Sequence, residues 1–183
     1  DGSEYTGWLG PTGHVLFYPL RKGELLNIFA GRVAKDDWAE ENWAVPSRID
    51  DMLKAYAGWH PGMLDVMSRA QEVYKWGIRD RDPLQEWGRG RITLLGDAAH
   101  PMMPTLAQGA AVSMEDGYAL AHFLDHGRGD LDSALLAYQR ERQPRAAKVQ
   151  LQARDQFRNN QLTPPPPPLP VDWIYGYDVA KLP

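Results

Sequence analysis

Apolar residues change their spacing several times along the chain, and each change predicts an element. His14–Leu20 (HVLFYPL) and Glu24–Val33 (ELLNIFAGRV) are dense in aromatic, β-branched and Leu residues, with Arg-Lys-Gly between them. Such runs favour a pleated strand, so the pair predicts a hairpin with a tight turn. Strand period puts His14, Leu16 and Tyr18 on one face, Val15 and Phe17 on the other. The polar stretch DDWAEENWAVP (36–46) reads as a connection. From Ser47 the period becomes helical: Ile49, Leu53 and Tyr56 recur on one side, with Ser47 placed to cap. GMLDVMSRA (62–70) reads as a second helix, EVYKWGI (72–78) as a strand and RDRDPLQEWGRG (79–90) as a charged connection.

RITLLGD (91–97) is a short apolar run of the buried-strand kind. A helical pattern then runs from Gln108 to Leu124 and stops at DHGRG. Asp132 or Ser133 is placed to cap the next helix, in which Pro144 is expected to make a kink or start a new segment. Near the end stand five consecutive prolines in TPPPPPLP. They predict a stiff extended rod of roughly 15 Å, read as a surface strap or linker; no basic flank marks it as an SH3-type ligand.

A chain of 183 residues suits one domain or parts of two. The net charge of −4 argues against nucleic acid or an anionic membrane as partner. No apolar run reaches the roughly 18 residues of a membrane span, and no signal-peptide pattern opens the chain, so a soluble, cytoplasmic protein is expected. Zero cysteines excludes disulfides, Cys-ligated zinc and Cys nucleophiles. The opening DGSEYTGWLG has no initiator Met and runs at once into strand-like sequence, so the chain is expected to begin inside a longer protein.

Candidate chemistry concentrates in residues 91–111. Asp97 would stand at the carboxyl end of a strand, where open α/β sheets bind ligands and a carboxylate accepts from ribose hydroxyls. A Gly-Asp alone is more often a turn or a cap. Gln108, Gly109, Ala110 and Ala111 open a helix whose small side chains leave the amides accessible. A helix start carries up to four unpaired donors and about half a positive charge. Between them, Pro101 and Pro104 stiffen a loop with Met102 and Met103, a candidate dry wall. A polyol at one end and a flat, anion-forming ring at the other describe reduced FAD.

Residues 80–124, DRDPLQEWGRGRITLLGDAAHPMMPTLAQGAAVSMEDGYALAHFL, resemble the second characteristic block of the class A flavoprotein monooxygenases, which include the salicylate, 3-hydroxybenzoate, 4-hydroxybenzoate and 6-hydroxynicotinate hydroxylases. The carriers are the Pro-Leu lead-in, Trp87, Gly-Asp-Ala-Ala-His, a loop proline, Gln-Gly, and Glu115-Asp116. The resemblance extends over most of residues 5–158. It implies an α/β fold (α+β within this chain): part of a Rossmann-like FAD domain plus a sheet-based substrate domain of the 4-hydroxybenzoate hydroxylase type. The expected boundaries are 1–76 for the substrate domain, 77–125 for the returning FAD domain, and 126–183 for C-terminal helices and a proline-rich tail.

The resemblance also implies roles. Gly96 and Asp97 would meet the sugar and phosphate part of FAD, Pro104 the flavin ring, and Gln108, Gly109, Ala110 and Ala111 the ring edge, with the amides of Ala110 and Ala111 facing N1 and O2. Many members have Gly where Ala107 stands and Asn where Ala111 stands. Some branches carry a similar His and Tyr on the substrate strand. His14 and Tyr18 would then be catalytic and bind substrate, alongside Met102, Met103 and Pro104. The implied reaction is hydroxylation of a phenolic or hydroxypyridine-type acid, with NADH or NADPH and O2. The strand–GxGxxG–helix of such enzymes is not in these residues, so the chain is expected to be the C-terminal half, partnered by an N-terminal half of the same enzyme; a homodimer is left open. Two other readings stay open: a related flavoprotein acting on a non-aromatic substrate, and a non-catalytic interaction module.

Of the remaining histidines, His100 is expected to be structural, and His60, His122 and His126 show no metal-ligand spacing. Adjacent helix positions point apart, so Glu115 and Asp116 are expected to serve packing and the helix dipole, not a catalytic dyad.

Overall fold

The structure, a computed structural model, describes residues 5–10, 12–33, 38, 42–127, 129–162, 164 and 166–183. It mixes helices and small sheets and divides into two compact units, Asp1–Ile78 with Asn160–Thr163 and Arg79–Asn159 with Pro164–Pro183.

In the first unit, strands β1 (Thr6–Gly10), β2 (Gly13–Leu20) and β3 (Leu25–Arg32) form an antiparallel sheet in that order. The expected hairpin is present, closed by a turn whose Arg21, Lys22 and Gly23 all take positive φ. Register pairs Val15 with Trp8 and Ala30, and Phe17 with Ile28. That face carries the core, covered by helices α1 (Ile49–Ala55) and α2 (Pro61–Ser68) through Tyr56, Met63 and Met67. Fully burying a Val or Met side chain contributes roughly 1.5–3 kcal/mol, so this face sets the register.

Two expectations need correction in this unit. Asp36, Asp37, Ala39, Glu40 and Glu41 of the expected connection lie outside the described residues, but Ala44–Pro46 form a strand, β4. It pairs antiparallel with β5 (Tyr74–Trp76), and Trp43 meets Trp76 edge-on at 4.4 Å. Three residues are too few to show a period. Ser47 does not cap α1: Arg48 holds that position without a side-chain bond, and the Ser47 N–H donates to the Val73 carbonyl at 2.8 Å instead. At α2 the cap is His60, whose Nδ1 accepts from the Gly62 N–H at 3.1 Å, with Pro61 next.

In the second unit, β6 (Gly88–Arg89) and β7 (Ile92–Thr93) form a two-residue ladder around Gly90. The buried strand expected over 91–97 is therefore not formed. Ile92 is 73% exposed, and only Ile92–Thr93 are in ladder geometry. A strand of the buried kind has partners along its edges and helices over both faces, and among the described residues only Gly88–Arg89 pairs with it. Helices α3 (Gly109–His126) and α4 (Leu131–Asn159) pack together over a core that includes Trp87, Val112, Tyr138 and Val149. The cap of α4 is Asp130, not Asp132 or Ser133: its carboxylate accepts from the Ser133 N–H (3.1 Å) and hydroxyl (2.6 Å), which hold it below its usual pKa. Pro144 neither ends α4 nor starts a new segment; the helix runs through it as one element. Pro144 has no N–H to give and its ring crowds the carbonyl of Arg140, together a cost of about 3 kcal/mol or more that does not break the helix into two elements.

Thr163 and Pro165 of the proline stretch lie outside the described residues, so the expected rod is not described as a whole. Beyond it, α5 (Asp172–Tyr175) returns to the core through Ile174 and Trp173, with Lys148 Nζ 3.9 Å from the Trp173 ring centroid. No helix among the described residues is long and apolar enough to cross a membrane.

Candidate flavin site and its supporting network

The second unit assembles the loop residues singled out above. Gly96–Ala98 form a 3-10 turn after extended Leu95, so Asp97 follows no regular strand. Gly96 takes φ +60°, and a Cβ there would lie 2.8 Å from Ser113 Oγ. The Ser113 hydroxyl in turn donates to the Gly109 carbonyl at 2.8 Å, so the acid-bearing turn and the helix start share one contact. Asp97 is exposed and makes no hydrogen bond among the described residues, and no side-chain cap bond is formed at its turn. Asp97 is thus a turn residue, as the commoner reading of a Gly-Asp has it, but its carboxylate caps nothing among the described residues.

The loop to α3 is tied at several points. Thr105 donates from Oγ1 to the Ala153 carbonyl, Leu106 is buried, and Pro104 opens a 3-10 turn with its own side chain exposed. Ala107 closes that turn in the left-handed region, φ 52° and ψ 33°. An L-residue pays roughly 1–2 kcal/mol there and glycine does not, which accounts for the glycine many members have at this place. Gln108 occupies the N-cap of α3 without a side-chain bond, and the Val112 N–H is the first to reach it, at 2.9 Å. The amides of Gly109, Ala110 and Ala111 precede that bond, with Ala110 exposed. These three amides have no carbonyl of their own helix to bond and stand at the positive end of its dipole. Met102 and Met103 are half-buried against the core, and Met102 Cγ would lie 3.9 Å from a Gly109 Cβ, so it lines the helix start.

Sequence reasoning missed what braces this loop. Arg81 donates through Nη2 to the carbonyls of Ala98 (2.7 Å) and Ala99 (3.0 Å). Gln150 Nε2 donates to those of Pro101 (2.8 Å) and Arg81 (2.9 Å). Glu115 and Asp116 are expected to serve packing and the helix dipole; Asp116 is fully buried, but the first turn of α3 has no acid, so the dipole part does not hold. Both belong to an ion network centred on Asp116. Asp116 Oδ2 accepts from the Gly96 N–H (3.2 Å) and pairs with His100 Nε2 (2.5 Å), while Oδ1 accepts from Arg142 Nε (2.8 Å). Arg142 also reaches Glu115 (2.6 Å), which Arg145 holds at 2.7 Å. Burial works against the Arg142 charge, but its bonds to Asp116 and Glu115 outweigh that and raise its pKa. His100 is buried against Trp87, with ring centroids 5.4 Å apart.

In the first unit, His14 and Tyr18 lie on the face opposite the core, with Leu16 between them. Across the ladder their partners are Gly31, Phe29 and Asn27. His14 is 5% exposed, its ring 5.6 Å from that of Phe29 and directly over Gly31, where a Cβ would come within 2.7 Å. Burial lowers the His14 pKa, which keeps the ring neutral near pH 7. Tyr18 is 37% exposed. An open groove along Pro46–Asp50 and Gln71–Tyr74 contains none of the expected site residues. Among the described residues, no group of three or more His, Asp or Glu could hold a metal; His122 and His126 stack on each other at 4.3 Å.

Known proteins carry the same framework. The family described as the FAD binding domain matches residues 29–153. A 3-amino-4-hydroxybenzoate 2-monooxygenase of Streptomyces platensis is 36% identical over 96% of this chain and 47% of its own length. A 6-hydroxynicotinate 3-monooxygenase of Pseudomonas fluorescens is 37% identical over 96% of this chain and 44% of its own. Among solved structures, a salicylate hydroxylase in a substrate complex superposes with a TM-score of 0.81 at 30% identity, again over 96% of this chain and 47% of that one. The chain therefore spans about half the length of the relatives it matches. The matched family, these relatives and the exposed Asp97 braced beside an open helix start agree: the chain belongs to the FAD-binding-domain family, with the flavoprotein monooxygenases of the salicylate, 3-hydroxybenzoate and 6-hydroxynicotinate hydroxylase type.

Proposed function

We propose that this chain is the C-terminal part of an FAD-dependent monooxygenase that hydroxylates a phenolic or hydroxypyridine-type aromatic acid, with NADH or NADPH as reductant and O2 as oxidant. Further residues of the same protein would supply the glycine-rich turn for the FAD pyrophosphate, and the enzyme would work in the cytoplasm. The observation that carries the reading is the braced loop that leaves Asp97 and the first amides of α3 without hydrogen-bond partners among the described residues. Bound there, FAD would supply the redox chemistry, hydride acceptance from the nicotinamide and activation of O2, and these residues would hold and orient it. Asp97 would accept hydrogen bonds from the sugar hydroxyls. The amides of Ala110 and Ala111 would face the ring edge that becomes negative on reduction, and Met102, Met103 and Pro104 would keep water from that edge.

His14 and Tyr18 would act on the substrate hydroxyl. Its proton must be shared or removed before the ring carbon is nucleophilic enough to accept hydroxyl. A neutral His14 has a lone pair for that proton, and the Tyr18 hydroxyl can hold the oxygen in place. The test uses the complete protein with its flavin. His14→Ala and Tyr18→Phe should keep flavin content and slow hydroxylation by about 10²- to 10⁴-fold. NAD(P)H consumption should continue, with hydrogen peroxide replacing hydroxylated product. Full coupling at normal turnover in both variants would reassign the pair to structure, and no stimulation of NAD(P)H oxidation by any aromatic acid would overturn the hydroxylase reading.

A further inference from the structure

We propose that Asp116 and His100 are a positioning pair that sets the spacing between Asp97 and the helix start of α3, and so the fit of both to FAD; this rests on the cofactor reading above. Neither residue faces the proposed ligand. Asp116 is 0% exposed and His100 1% exposed. Their effect runs through Gly96. The Gly96 N–H is held by Asp116 at 3.2 Å, and the Gly96 carbonyl accepts from the N–H groups of Ala99 (2.8 Å) and His100 (2.9 Å). The His100 ring returns to the same Asp116 oxygen at 2.5 Å. Asp97 thus sits on a turn pinned on one side at Gly96 and on the other at His100, and both pins end on one carboxylate.

That carboxylate belongs to α3, the helix whose first amides are the other proposed contact. A rigid helix segment therefore joins the two ends of the site. Ser113, on the same helix, fills the space under Gly96 and bonds Gly109, which adds a second link between them. Arg142 gives Asp116 a fixed counter-charge at 2.8 Å, anchored in turn by Glu115 and by the Tyr177 hydroxyl at 3.1 Å. An ionised carboxylate accepts from all three donors at once. An amide at the same place would turn an N–H toward Gly96 or Arg142 and leave one donor unmet.

The experiment measures FAD affinity in the complete protein, by recovery of flavin fluorescence, and amide exchange over residues 94–100 in its FAD-free form. Asp97→Ala calibrates the site: loss of a charge-assisted bond should weaken FAD about 10- to 150-fold. Asp116→Asn should weaken FAD at least about tenfold and speed amide exchange at the turn, although residue 116 touches no ligand. A pair of His100 variants covers the case in which Asp116→Asn does not fold. His100→Gln keeps a donor near the place of Nε2 and should retain FAD affinity; His100→Leu keeps bulk without the donor and should lose about as much as Asp116→Asn. If Asp116→Asn speeds exchange but leaves FAD affinity within about twofold while Asp97→Ala weakens it, the turn is pinned and the pin is irrelevant to FAD. That result overturns the positioning role and leaves the cofactor reading standing. Equal affinity of the Gln and Leu variants overturns it too. If Asp97→Ala changes nothing, the reading of Asp97 fails and the positioning proposal fails with it.

Discussion

At the scale of single residues, strand period alone placed His14 and Tyr18 on one face and Val15 and Phe17 on the other, and the ladder register agrees. The burial of His14 was not legible. It arises because Gly31 stands across from it and Phe29 diagonally beside it, a property of the pairing and not of either strand's sequence. That burial has a measurable consequence. The folded-state pKa lies below the ordinary value of about 6.5, so the unfolded chain binds this proton more readily. The contribution is fully present above about pH 6.5 and is lost as pH falls from there toward the folded-state pKa. Urea unfolding of the wild type and of His14→Gln from pH 7.5 to 5 should show their stability difference moving against the wild type as pH falls. A difference that stays constant over that range would mean that His14 is not held neutral by the fold.

At the scale of elements, long periodic helices were legible and short strands were not. The pattern from Gln108 located α3, and the long polar helix after Asp130 proved to be α4, continuous across Pro144. β4 and the false strand over 91–97 failed for opposite reasons: three residues hide a period, and an apolar run cannot say whether neighbours exist to bury it. The ion network did leave a signal. Tyr138, Arg142, Ala146, Val149, Gln150 and Ala153 share the buried stripe of α4, and Val112, Asp116 and Ala119 share that of α3. Charges of opposite sign on two facing stripes are the mark of a buried pair. Breaking such a pair leaves a charge without its partner and costs about 3–5 kcal/mol. Arg142→Met should therefore lose about that much in chemical unfolding, even though Arg145 still holds Glu115. A loss below about 1 kcal/mol would show the network relaxing around Asp116, as a surface pair would.

At the scale of the whole molecule, the two ends of the proposed flavin site could be picked out within 21 residues because turn, loop and helix start are local features. The braces were not, since Arg81 and Gln150 come from 15 residues before Gly96 and from the far part of α4. The same separation limits what this chain can do alone. Its proposed hydrogen bonds to FAD are those of Asp97 and of the amides of Ala110 and Ala111. A charge-assisted bond contributes about 1.5–3 kcal/mol and a neutral one about 0.5–1.5, so together they supply at most about 6 kcal/mol. That corresponds to a dissociation constant on the order of 40 µM from hydrogen bonds alone; apolar contact of the ring with Met102, Met103 and Pro104 adds to it, and the cost of immobilising a flexible dinucleotide works against it. The pyrophosphate adds negative charge that a chain of net charge −4 does not offset. In dinucleotide folds that charge is met by a glycine-rich turn and its helix start, placed by the proposal in other residues of the protein. Equilibrium dialysis of these 183 residues against FAD should accordingly show binding on the order of 40 µM or weaker, with tight binding restored when the glycine-rich part is present. Micromolar or tighter binding by the chain alone would mean that a pyrophosphate site lies within it, and the division of FAD contacts proposed here would be wrong.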